Sequence, residues 1–197
     1  MPARPVEPYG QSKLDAESIV TAQSEVPVVV VRPAAVYGPG DRDFLALFRL
    51  AKHGIAVHPA NRDHWISIVH VADVADAVLR AATARMDQGR AFFIANDAPV
   101  QWSELFRLGA ECAGTTLHVD ANLPQLAVET GAMIGDLAAR ITGHASLMTS
   151  GKTALSRERF WVCSNDRARR ELSFVPQVDL QTGMRETYAW YQMNRWL

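Results

Sequence analysis

The chain has 197 residues, 48% of them hydrophobic and 21% charged. That balance belongs to a folded globular chain and excludes a disordered tail, a collagen-like repeat or a low-complexity linker. With 20 Lys+Arg against 21 Asp+Glu the formal charge is −1, too even for strong attraction to nucleic acid or to an anionic membrane.

The two cysteines, Cys112 and Cys163, stand far apart without partner spacing. Neither a disulfide framework nor a zinc knuckle is therefore expected, and a reducing cytoplasm fits best. No stretch approaches the roughly 18 unbroken apolar residues of a membrane span. Residues 1–8, MPARPVEP, lack the apolar core of a secretion signal and read as an extended arm, with proline at positions 2, 5 and 8.

From Tyr9 to Ser24 the apolar spacing of Leu14, Ile19 and Val20 predicts a helix. Pro27 to Val31 is a β-branched run without alternation, the pattern of a parallel strand buried on both faces. RPAAVYGPGD follows as a loop punctuated by glycine and proline, and Phe44 to His53 as an amphipathic helix closed by Gly54. Trp65 to Val71 is a second strand, leading into a helix from Ala72 to Ala84. Ala91 to Asn96 is a third strand and Gln101 to Ala113 a helix ending at Gly114. Thr115 to Val119 reads as a short strand and Leu123 to Ile141 as a long helix. Ser164-Asn165-Asp166 is a capping cluster for a helix over Arg167 to Leu172, and Asp179 caps a last helix from Leu180 to about Arg195. Strands alternating with helices give an α/β class.

Tyr9 and Lys13 lie four residues apart on the first predicted helix and so share one face. A phenol ionises near pH 10 unaided, and a neighbouring ammonium favours the phenolate. Such a tyrosine can exchange a proton with a substrate hydroxyl or carbonyl while a hydride moves. The bland alternative is a tyrosine ending the arm and a solvated lysine.

PYGQSKLDAE, VVVVRPAAVYGPGD, SIVHVADVADAVLRAA, FFIANDAPVQWSEL and the closing SNDRARRELSFVPQVDLQTGMRETYAWY resemble, in order and spacing, the extended short-chain dehydrogenases/reductases. This is the NAD-dependent epimerase/dehydratase superfamily in its hydroxysteroid-dehydrogenase-like branch, and the likeness runs from Tyr9 to about Tyr191. It implies a partial Rossmann-type parallel sheet with a small mixed α/β substrate-binding region. Residues 9–100 would form the C-terminal half of the Rossmann-type domain with interleaved substrate segments, and residues 101–197 a mainly helical substrate-binding region. It also implies Tyr9 as general acid/base and Lys13 as the group that tunes it and holds a nicotinamide ribose. Pro33 and Val36 match positions bordering the nicotinamide, although a strand terminator at Pro33 and plain core packing at Val36 account for them equally.

The resemblance also exposes a gap. No G-x-G-x-x-G or G-x-x-G-x-x-G turn, which would receive a dinucleotide pyrophosphate, occurs in the sequence. Only eight residues precede Tyr9, too few to carry the family's upstream catalytic serine or threonine. The expectation is therefore a C-terminal, substrate-side portion of an NAD(P)-dependent enzyme that binds no dinucleotide well alone. A partner would supply the missing half, and a homodimer is also compatible. A non-catalytic pseudoenzyme or interaction module is the second reading and a nucleotide-sugar epimerase/dehydratase the third. Against the third, Ala35 stands where such enzymes carry asparagine and Ile66 where they carry arginine, and neither apolar side chain can hydrogen-bond a phosphate or sugar.

Arg157 and Arg159 offer at most a weak anion site. Arg167, Arg169 and Arg170 read as an exposed helix face, and His70 and Asp73 as structural groups at a strand end and a first helical turn. Ser150 to Thr153 (SGKT) lacks the first glycine of a phosphate loop, since residue 146 is serine. Gly131 and Gly135 fit close helix packing. No metal site is expected.

Overall fold

In the computed structural model of the chain, the valine run and the segment after it form one extended path. Strand β1 (Val29–Pro33) pairs in parallel with β6 (Arg90–Ile94), and β2 (Ala35–Tyr37) pairs in parallel with β5 (Ile68–His70). At the joint, Ala34 N–H donates to the Ile94 carbonyl at 2.8 Å, and beyond β6 the Asn96 N–H donates to Ile68 at 2.8 Å. The two ladders are thus one parallel unit of α/β type, in which the path from β1 to β2 changes partner at Ala34. The structure describes residues 5, 8–23, 25–59, 64–87, 89–130, 133 and 158–197. Most of the expected arm, the later part of the predicted 123–141 helix, the Gly131/Gly135 pair, the SGKT segment and Arg157 lie outside the described residues.

Around this unit sit helices α1 (Pro8–Gln23), α2 (Leu45–Lys52), α3 (Val71–Thr83), α4 (Trp102–Cys112), α5 (Asp166–Leu172) and α6 (Leu180–Met193). Residues 125–130 are also helical. Outside this unit, β3 (Ile55–Pro59) pairs in parallel with β8 (Val119–Leu123). There too β4 (Trp65–Ile66) lies between β7 (Val100–Gln101) and β9 (Phe160–Trp161).

Several expectations are corrected. RPAAVYGPGD is not all loop, because Ala35–Tyr37 find a parallel partner in β5. The Trp65–Val71 run is two strands broken at Ser67, whose hydroxyl accepts from the Cys163 N–H at 3.1 Å. Thr115 to His118 are not a strand; extended pairing begins at Val119, where β3 offers a partner. Strands β3 and β9 were not anticipated. The valine strand is half-buried along its length rather than buried on both faces, since among the described residues only β6 pairs with it.

Two apolar cores hold the fold. One gathers Tyr37, Phe48, Leu105, Met184 and Tyr191 between α2, α4 and α6. The other packs Ala77, Ala81, Ala168, Leu172 and Phe174 from α3, α5 and the segment after it onto Val69, Phe92 and Ile94 of the sheet. Complete burial of each large side chain stabilises by about 1.5–3 kcal/mol. Gly183 shows how tightly the first core closes. A methyl at this helical glycine would sit 2.4 Å from the Tyr37 hydroxyl and 2.9 Å from two of its ring carbons, and Tyr37 is wholly buried. Gly183→Ala is expected to destabilise the chain by about 1–3 kcal/mol through overpacking, read as a lower urea midpoint.

Candidate functional site

Helix α1 carries the expected pair. Its sequence gives it no apolar stripe strong enough to bury, and none of its residues is buried. Tyr9 is 66% exposed, and the Lys13 ammonium sits 5.2 Å from the centre of its ring. One helical turn therefore brings the phenol and the amine together, as their spacing requires.

The other sequence-predicted residues lie along the β1–β2 path. Pro33 ends β1 and is exposed; Ala35 and Val36 belong to β2 and are half-buried. Val36 packs on the α3/α5 core and Ala35 on the α2/α4/α6 core, so both contribute to packing. No hydrogen bond joins these three to Tyr9 or Lys13 among the described residues. Pro33, in parallel register with Ile94, terminates its strand.

Two residues that sequence reasoning missed tie the pair to the sheet. Glu17, one turn beyond Lys13, accepts two hydrogen bonds from Arg32 of β1, Nε to Oε2 at 3.0 Å and Nη2 to Oε1 at 2.5 Å. The Arg32 guanidinium also lies 5.5 Å over the Phe93 ring. The row Tyr9, Lys13, Glu17 at four-residue intervals was the available signal; Arg32 becomes visible only through the fold.

His70 and Asp73 take structural roles, as expected. The His70 Nδ1 accepts from the Ala72 N–H at 3.4 Å, capping α3, and its Nε2 lies 3.8 Å from the Glu186 carboxylate. Asp73 accepts from the backbone N–H groups of Gln177 and Val178 at 2.8 and 3.2 Å. Burial pushes the His70 imidazole below its ordinary value of 6.5, while Glu186 and Asp73 pull it partly back. The unfolded chain thus takes up this proton at higher pH than the folded one. Stability from neutral His70 is complete above about pH 6.5 and is lost as pH falls through the folded value. The urea midpoint is expected to fall between about pH 7.5 and pH 5, and less steeply in His70→Asn, which keeps a capping side chain.

The arginines divide. Arg159 is exposed and stacks over Phe160 at 5.2 Å. Arg167 pairs with Glu171 at 3.1 Å on the solvent side of α5. Arg169 does not merely decorate that face: it is half-buried and bonds Asp97, holding that carboxyl below the usual range with help from Asn165. Asn165 therefore spends its side chain on Ala95 and Asp97, and Ser164 accepts from the Asp166 N–H instead. No cluster of three His, Cys, Asp or Glu side chains that could hold a metal occurs among the described residues. No described helix is long and apolar enough to cross a membrane.

Residues 1–95 match the NAD dependent epimerase/dehydratase family. That match covers 95 of the 197 residues, and it is a likeness of the first part of the chain to that family. Among curated proteins it is similar to the decarboxylating sterol-4-alpha-carboxylate 3-dehydrogenase of Saccharomyces cerevisiae, 27% identical over 96% of this chain and 58% of that protein. It is also similar to the ceramide reductase of Caulobacter vibrioides, 26% identical over 96% of this chain and 58% of that protein. Among solved structures, dTDP-glucose 4,6-dehydratase from Bacillus anthracis in complex with NAD superposes with a TM-score of 0.72 at 19% identity, covering 98% of this chain and 55% of that one. The chain thus spans a little over half the length of these three proteins, and its parallel unit is a partial Rossmann-type sheet like that of the solved structure.

Proposed function

We propose that the chain is the C-terminal, substrate-side portion of an NAD(P)-dependent oxidoreductase of the extended short-chain dehydrogenase type, acting on a hydroxyl or carbonyl group of a small molecule. The observation that carries this reading is the Lys13 ammonium over the Tyr9 ring on a helix face left open to solvent. In the completed enzyme the dinucleotide supplies the hydride acceptor or donor. Tyr9 takes the proton from the substrate hydroxyl in oxidation and returns it in reduction. Lys13 offers a donor to the nicotinamide ribose. Pro33 and Val36, following the valine run, suit the border of the nicotinamide. The residues therefore fit the nicotinamide end of a dinucleotide, whereas no Gly-rich turn for the pyrophosphate exists in the sequence.

Among the described residues β6 is the one strand that pairs with β1, which supports a missing neighbour. Val26, Ile19, Val20 and Phe93 are exposed apolar side chains, and an unpaired strand edge with bare apolar surface is a site for completion by further strands. A polypeptide carrying the Gly-rich strand-turn-helix is the expected partner, in the cytoplasm. The lipid-related names of two curated relatives and the apolar Ala35 and Ile66 favour a lipid-like alcohol or ketone over a nucleotide sugar, although the solved-structure likeness keeps the sugar-nucleotide reading in view. The same open edge suits a non-catalytic interaction module, which Tyr9 and Lys13 would not serve.

Calorimetric titration of NAD(H) and NADP(H) tests the reading. The chain alone is expected to give no saturable heat at micromolar concentrations, and the chain combined with the Gly-rich half to bind. Micromolar binding by the isolated chain would overturn the idea that the phosphate cradle lies elsewhere.

A further inference from the structure

Within α1 the neighbours of Lys13 at three and four residues are Tyr9, Gly10, Ala16 and Glu17. Glu17 is thus the one carboxylate that helical geometry brings within reach of the Lys13 ammonium, and oppositely charged side chains at this spacing attract. The structure nevertheless shows Lys13 without a carboxylate among the described residues and turned the other way, 5.2 Å over the Tyr9 ring. Glu17 is engaged elsewhere. Both its oxygens are bound by the Arg32 fork, at 2.5 and 3.0 Å, and the pair is well shielded, with side-chain exposures of 30% for Arg32 and 21% for Glu17. A two-pronged guanidinium–carboxylate bond outcompetes a single ammonium contact, because the planar donors match the carboxylate geometry. Stacking over Phe93 at 5.5 Å fixes the guanidinium for this contact.

We propose that Arg32 is a positioning residue for the Tyr9–Lys13 pair: by holding Glu17 it withholds from Lys13 the one carboxylate on its helix face, and so keeps the ammonium over the phenol. The inference rests on the reading of Tyr9 and Lys13 given above, and it assigns the Glu17–Arg32 pair a role beyond fastening α1 to β1. With Arg32 removed, Glu17 is released one turn beyond Lys13 and draws the ammonium away from Tyr9. With Glu17 neutralised as well, no carboxylate remains to compete, and Lys13 returns. A mere fastener behaves differently, since Arg32→Gln, Glu17→Gln and the double variant all break it equally.

The test is NMR on the chain itself, reading the upfield ring-current shift of the Lys13 ε-methylene and its cross-relaxation with the Tyr9 ring protons. Both signals are expected in the wild type, in Glu17→Gln and in the Glu17→Gln/Arg32→Gln double variant, and both are expected to be lost in Arg32→Gln. Retention in Arg32→Gln, or equal loss in all three variants, overturns the proposal. A second variant leaves the fastening intact: Ala16→Glu, at an exposed position, adds a carboxylate three residues from Lys13 that Arg32 does not cover. It is expected to abolish the Lys13–Tyr9 signals, and their persistence would overturn the competition on which the proposal depends. In the completed enzyme, Arg32→Gln should lower kcat and the double variant restore it. Loss of the NMR contact with kcat unchanged would instead sink the catalytic reading of Tyr9 and leave the positioning intact.

Discussion

Tyr9→Phe, introduced into the chain completed by its dinucleotide-binding half, is expected to lower kcat by about 10²–10⁴-fold, the range that a positioned proton-transfer group contributes. The substitution is a narrow one. Phenylalanine keeps the ring over which Lys13 lies at 5.2 Å and deletes only the oxygen to which the proposal gives the proton transfer. Since no residue of α1 is buried, loss of that oxygen leaves no unsatisfied group in a core, so the variant should fold with the stability of the parent. Dinucleotide affinity is expected to change little, because the role proposed for the lost oxygen is toward the substrate proton. Steady-state reduction of the nicotinamide, followed by its absorbance with a secondary alcohol as substrate, separates these effects. A kcat within a few-fold of the parent would remove Tyr9 from the chemistry.

The fold was legible where elements are long and locally coherent. Helix α3 announces itself through the spacing of Val74, Ala77 and Ala81 and through Asp73 in its first turn, and α6 through its Asp179 cap, which accepts from the Thr182 N–H at 2.9 Å. Short strands were not legible, because their existence depends on distant partners. Ala35–Tyr37 lie between a proline and a glycine and read as a turn until β5 is brought alongside. Ile55–Pro59 end in a proline, and their partner strand carries Asp120 and Asn122, so neither side has a clean apolar alternation. Phe160–Trp161 become a strand only through hydrogen bonds between residues far apart in sequence, such as Trp65 N–H to the Arg159 carbonyl at 2.9 Å.

The candidate site divides in the same way. Tyr9 and Lys13 were visible because four residues on a helix fix their proximity whatever the rest of the chain does. Core packing at Val36 was one of the two readings left open by the sequence, whereas that of Ala35 was not visible, since it follows from two cores meeting along β2. Arg32 was equally hidden: it lies 15 residues from Glu17, and only the path of β1 past α1 brings the two together. Local periodicity thus found the Tyr9–Lys13 pair, and tertiary packing revealed that Glu17 beside it is bound by Arg32.

A buried carboxylate without a catalytic duty offers the clearest test of the scaffold. Asp73 is 2% exposed and binds two consecutive backbone N–H groups, those of Gln177 and Val178. It thereby ties α3 to the segment that leads into α6, across both cores. Its place in the first turn of α3 adds the favourable interaction of a negative charge with the helix dipole. Asp73→Ala removes both acceptors at once and leaves two part-buried donors, on exposed Gln177 and half-buried Val178, without their carboxylate. A fully buried unsatisfied donor costs about 1–3 kcal/mol; with water able to reach these two in part, a loss of about 1–3 kcal/mol is expected for the pair. Asp73→Asn keeps one acceptor oxygen but turns a donor toward the second N–H, and should fall between the parent and the alanine variant. Urea unfolding of the three proteins, followed by circular dichroism, ranks them. An Asp73→Ala midpoint equal to that of the parent would mean that solvent replaces the carboxylate, and that the junction between α3 and α6 is looser than its hydrogen bonds imply.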